Sequence, residues 1–191
     1  MIKLISSKAA CFLCKEDDKE TLELYEYAIY VVLSAILHVV TIIILGVCFD
    51  MLFESIVFYG SFILIRKFAG GYHAKTSVRC YMFSVLSTSF ILVVMRIILI
   101  VDSLLIMCGL LLLGLICVIL ICMLSPIDTD NNPLNNREKT VYKIISVIAS
   151  VTIFLVSYVL MFCSLSNIGV SLIFGVFMSA LVLILGAVLR N

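Results

Sequence analysis

Charged residues are scarce in this 191-residue chain, at 13% of positions against about 25% in an ordinary soluble domain. The two signs nearly cancel to a formal net charge of +1, and no basic domain stands apart, which argues against nucleic-acid binding. Histidine occurs only twice, and no Cys/His cluster has zinc spacing, so a metal site is not expected. No glycine-rich loop runs into Lys-Ser or Lys-Thr, so a nucleotide cradle is not indicated either. No cofactor is therefore expected. What fills the chain is apolar: 64% of residues, with a mean hydropathy of +1.28. That excludes a water-soluble globule and a disordered chain.

Eight cysteines would suggest disulfides in a small secreted domain, but this composition describes none. Cys48, Cys108, Cys117, Cys122 and Cys163 lie in or beside apolar runs, where a thiol packs as a small hydrophobe. Cys11 and Cys14 form C-x-x-C without the strand and helix context of a redox motif. Cys80 is different, for reasons that come from its neighbours.

A spanning helix needs roughly 20 apolar residues. Six candidate spans follow: residues 27–49, 51–65, 80–101, 103–124, 144–163 and 168–189. None alternates as a barrel strand would. The fold expected is all-α, a polytopic integral membrane protein forming a single domain over 1–191. Lys and Arg test the topology. If all six segments cross, twelve of the 13 basic residues lie on one side and only Arg96 lies toward the other. If 51–65 fails to cross, the split is five against eight. Six crossings with both termini cytoplasmic is the reading that the charges favour. The 51–65 run is short, reaching about 22 Å against a core near 30 Å. Residues 1–20 interleave Lys3 and Lys8 with Ile2, Leu4, Ile5, Ala9, Phe12 and Leu13, which suggests an amphipathic interfacial helix on the lipid surface. They lack the apolar core of a signal peptide.

Ionisable groups inside a bilayer are costly and are often functional. His38 falls in the middle of the first span, where a neutral imidazole bonded between helices is the plain reading. Glu54 and Arg96 lie about a turn inside their spans, on the outer face in this topology, and can pair or snorkel. With Asp102 they make a small transporter or exporter the competing function. A non-catalytic scaffold anchoring anionic lipid is a third.

The informative segment runs from Arg66 to Cys80, a cytoplasmic loop over 66–79 closed by the thiol that opens the third span. A positive-inside loop beside a buried thiol would account for it structurally. Three points favour chemistry. A thiolate is stabilised near basic groups and at a helix N-terminus, and Cys80 directly follows Arg79. His73 precedes Cys80 by seven residues, which on a continuous helix leaves about 10 Å of axial rise, too far for proton transfer. His73 must then sit on a bent loop, and Gly70-Gly71 supply the backbone freedom just upstream. Nowhere else do His and Cys lie close together on the cytoplasmic side, and that pair is the minimum for thiol nucleophilic catalysis.

Arg66, Gly70-Gly71-Tyr72-His73-Ala74 and Cys80, with the His-x6-Cys spacing, closely resemble the accessory gene regulator B (AgrB) family. These are polytopic membrane cysteine peptidases that process quorum-sensing propeptides in Gram-positive bacteria. A second similar stretch runs from Ser125 to Leu134, within a cytoplasmic loop over 125–143 that carries Arg137, Lys139 and Lys143. Asn132 stands where family members often carry Lys. The resemblance covers essentially the whole chain.

The resemblance implies a bacterial plasma-membrane enzyme whose active site faces the cytoplasm and whose substrate is an AgrD-like propeptide. It also implies a homodimer. His73 would take the Cys80 proton, and the thiolate would cleave off the propeptide's C-terminal tail. The N-terminal portion stays as a thioester until an internal Cys or Ser closes a thiolactone or lactone ring. Arg66 would orient the loop or neutralise a substrate carboxylate. Lys67, Lys75 and Arg79 form a basic rim suited to an acidic tail. Gly70 and Gly71 set backbone geometry, and the Gly71 amide can also face an oxyanion. Asp128 or Asn131 can orient His73.

Overall fold

A computed structural model describes residues 6–8, 10–11, 19–71, 77–127, 135–163 and 165–189. Six long helices make up nearly all of it: α1 (Lys19–Cys48), α2 (Leu52–Ala69), α3 (Ser77–Val101), α4 (Leu104–Leu124), α5 (Asn136–Met161) and α6 (Ser166–Leu189). Long apolar runs become helices because lipid offers no partner for backbone N–H and C=O groups. Five of the six are long and apolar enough to cross a membrane; α2 is the exception. Its 18 residues include Glu54, Arg66 and Lys67.

The chain divides into two compact units, residues 1–44 and 45–191. The first holds most of α1, with Thr41 Oγ1 donating to the Leu37 carbonyl and His38 half-buried in mid-helix. Of the interfacial helix expected over 1–20, residues 6–8 and 10–11 are helical, and most of the rest lies outside the described residues.

In the second unit α6 is the axis, and α2, α4 and α5 pack along it. Small residues make the close approaches possible, as they do between helices in lipid. A Cβ on Gly175 of α6 would collide with Ser61 of α2 and come within 3.0 Å of the Phe58 carbonyl. Ser61 Oγ donates to that carbonyl at 2.8 Å, so its polar group is satisfied at the crossing. Ser157 of α5 donates across to the Gly169 carbonyl of α6 at 2.8 Å. Around these contacts Phe58, Met95, Val170, Ile173 and Val182 form one apolar core, and Ile65, Ile121, Val176 and Leu183 a second. The packing of α3 on α6 is sparse, and Ile91, Leu92 and Met95 carry it into the first core.

Several helices run past the apolar windows read from sequence. α5 starts at Asn136, ahead of residue 144, because Glu138 reaches back to the Asn135 N–H at 2.9 Å and caps the polar first turn. α2 continues to Ala69, so Arg66 and Lys67 occupy its last turn rather than a loop. Eighteen residues reach about 27 Å, which removes most of the length deficit of the 51–65 run. Asp50 and Asp102 make the turns after α1 and α3 at φ 54° and 42°. Short polar side chains tolerate that left-handed region better than most.

Candidate functional site at one end of the helices

At the end of α2 the backbone leaves the helix through two glycines. Gly70 has φ 76° and ψ −149°, a combination essentially reserved for glycine, and its N–H still donates to the Arg66 carbonyl at 3.0 Å. Gly71 has φ 133°, and a Cβ there would lie 2.8 Å from Val182 Cγ1 of α6. The segment following α4 meets this exit. Gly70 pairs with Ile127 in an isolated parallel β-bridge, and the Ile127 N–H donates to the Ala69 carbonyl at 3.1 Å. Beside it Phe68 packs edge-on against Tyr142 of α5, with ring centres 5.9 Å apart.

Cys80 lies in the first turn of α3, half-buried and not in a disulfide. Arg66 lies within electrostatic reach of the Cys80 thiol and of the Tyr59 hydroxyl, and Tyr59 within reach of Cys80. The Arg66 guanidinium sits over the Phe62 ring at 5.5 Å, and Tyr59 contacts the same ring with centroids 6.1 Å apart. Arg66 and Tyr59, two turns apart on α2, thus both couple electrostatically to the thiol. Tyr59 was missed by the sequence reading. Its signal is a spacing of seven residues from Arg66, two helical turns on the same face.

The other expected site residues divide as follows. Lys67 is exposed, with Nζ 5.6 Å from the centre of the Phe68 ring, and Arg79 is exposed one residue before Cys80. His73, Lys75, Asp128 and Asn131 lie outside the described residues, as does Cys14 of the C-x-x-C. Among the described residues no three His, Cys, Asp or Glu side chains group closely enough to hold a metal.

The charges at Glu54 and Arg96 are arranged differently from the pairing considered from sequence. Arg96 pairs with Asp50 at 3.9 Å, both well exposed, while Glu54 accepts from Asn167 Nδ2 at 3.2 Å. Asp50 captures Arg96 because its left-handed turn sets it beside the end of α3. These groups sit at the opposite helix ends from Cys80.

Such a chain is a polytopic helical membrane protein with a cysteine where one apolar helix begins. It belongs to the accessory gene regulator B family, whose profile matches residues 6–184. That family is one of quorum-sensing propeptide processing. An AgrB-like protein of Clostridium perfringens (strain SM101 / Type A) is 25% identical over 187 residues, covering 93% of this chain and 83% of that protein. AgrB-like protein 2 of Clostridium perfringens (strain 13 / Type A) is 23% identical over 147 residues. That match covers 72% of this chain and 64% of the relative. No solved structure matches the chain.

Proposed function

We propose that this protein is a membrane-embedded cysteine endopeptidase that trims an AgrD-like propeptide and helps cyclise it. One observation carries the reading: in a chain of the AgrB family, Cys80 in the first turn of α3 shares electrostatic reach with Arg66, beside the two-glycine exit of α2.

His73 takes the Cys80 proton, and the sulfur attacks the carbonyl carbon of the scissile peptide bond. As the tetrahedral intermediate collapses, the C–N bond breaks and the imidazolium returns the proton to the departing amine. The tail leaves, and the remaining peptide is a thioester on Cys80. An internal Cys or Ser of the bound peptide then attacks that carbonyl, the ring closes, and the Cys80 sulfur recovers a proton. Thiol-to-thioester exchange is nearly balanced, so closure needs no ATP if water is kept away. Holding the internal nucleophile beside the thioester makes macrocyclisation intramolecular.

In this reading α2 also crosses the bilayer, so that the helices make six crossings. Lys67, Lys75 and Arg79 then line a cytoplasmic rim for an acidic tail, and both termini are cytoplasmic. Asp128 or Asn131 remains the proposed orienting partner of His73. Pairing of two copies in the plasma membrane is carried by the family resemblance.

The test is co-expression with a candidate propeptide, followed by mass spectrometry of the peptide products. Wild type releases the tail, while Cys80→Ala and His73→Ala do not. Cleavage that persists in Cys80→Ala overturns the reading.

A further inference from the structure

Where the chain leaves α4 it is tied to α5 by a pair of buried hydroxyls. Ser125 follows the last residue of α4, and its N–H still donates to the Ile121 carbonyl at 3.0 Å. Its side chain turns inward, 4% exposed, and meets the hydroxyl of Ser146 on α5, which is fully buried. Ser146 Oγ donates to the Lys143 carbonyl at 3.0 Å. A hydroxyl has one proton to give, so Ser146 accepts here and Ser125 is the donor. Two residues further on, Ile127 gives its N–H to the Ala69 carbonyl and bridges Gly70. That carbonyl ends α2 and has no partner within its own helix. A continuous series of bonds therefore runs from α5 through Ser146, Ser125 and Ile127 to the point where the chain leaves α2 for His73.

We infer that Ser125 and Ser146 are positioning residues for the peptidase: their hydroxyl pair fixes Ile127, and through it the glycine exit of α2 that precedes His73 in the sequence. The inference rests on the proposed peptidase reading. It assigns the second loop a mechanical part in the reaction, exerted through backbone bonds. Ser150, one turn further along α5, provides an internal control. It is equally buried, but among the described residues its hydroxyl bonds only the Val147 carbonyl of its own helix.

The test compares Ser125→Ala, Ser146→Ala, the double variant and Ser150→Ala as full chains in proteoliposomes, cleaving a synthetic propeptide. Each of the first two is expected to lower kcat about tenfold with KM within about twofold, the loss of one buried hydrogen bond to the positioned state. The double variant falls no further than the worse single one, because the two hydroxyls act as one unit. Ser150→Ala cleaves like wild type. Should either alanine variant fail to accumulate in the membrane, Ser125→Cys, similar in size and a weaker donor, is read the same way.

The inference is overturned if both single variants keep kcat within about twofold of wild type, or if their losses multiply in the double variant. It is equally overturned if Ser150→Ala loses as much as they do. A wild-type chain that releases no tail, or a Cys80→Ala chain that does, sinks the peptidase reading instead.

Discussion

Replacing Gly70 by alanine separates the two jobs of the glycine exit, since the bridge can fail while the helices stay packed. Two costs add. The φ 76°, ψ −149° conformation costs a residue with a Cβ about 1–3 kcal/mol. The new Cβ would lie 2.6 Å from the Ile127 carbonyl oxygen, an overpacking worth about 1–3 kcal/mol more. What ties the two segments together is chiefly the Ile127 N–H to Ala69 bond, with a net value of about 0.5–1.5 kcal/mol. The penalty exceeds the tie, so the bridge opens before the bundle does. Even a net 2 kcal/mol shifts the closed-to-open ratio about 30-fold. Cleavage by Gly70→Ala should therefore drop by tenfold or more on the same arithmetic, while the Tm in detergent falls by less than about 5 °C. Gly70→Asn should be no better, because ψ −149° lies outside the left-handed helical well that asparagine tolerates. Wild-type cleavage by Gly70→Ala would refute the reasoning, as would a cooperative loss of the whole fold.

Two further substitutions test the packing and the competing transport reading. Gly175→Ala should destabilise the α2–α6 crossing by about 1–3 kcal/mol, read as a lower Tm in detergent. Adding Ser61→Gly should recover only part of that loss, since the Phe58 carbonyl remains 3.0 Å from the new Cβ. Arg96→Ala removes only an exposed ion pair, worth about 0–1 kcal/mol, and should leave propeptide cleavage unchanged. A loss of processing in Arg96→Ala with normal protein levels would favour a role for these charges that the peptidase account does not contain.

Hydropathy made the helices legible, because an apolar run in lipid has few other options. Their ends were less so. Apolar counting stops where polar residues begin, yet Glu138 caps a polar first turn of α5 and Gly70 sets the last turn of α2 three residues after Lys67. The partner of Arg96 was left open, because Asp50 sits in a left-handed turn of which the run 51–65 gave no hint. Gly70-Gly71 was readable as a point of backbone freedom, and both residues take positive φ. Long-range partners were beyond reach: nothing in the local pattern says that Ser125 meets Ser146, or that Val182 limits Gly71. Tyr59 lay within reach, two turns from Arg66 on a helix already identified.

The most direct measurement is the intact mass of the chain after reaction with a propeptide whose internal nucleophile is replaced by alanine. Tail release should then stall at the acyl-enzyme, giving a chain heavier by the N-terminal peptide portion. The adduct should map to Cys80, vanish with neutral hydroxylamine, and be absent in Cys80→Ala. Tail release with an unmodified chain, or an adduct that persists in Cys80→Ala, would contradict the account.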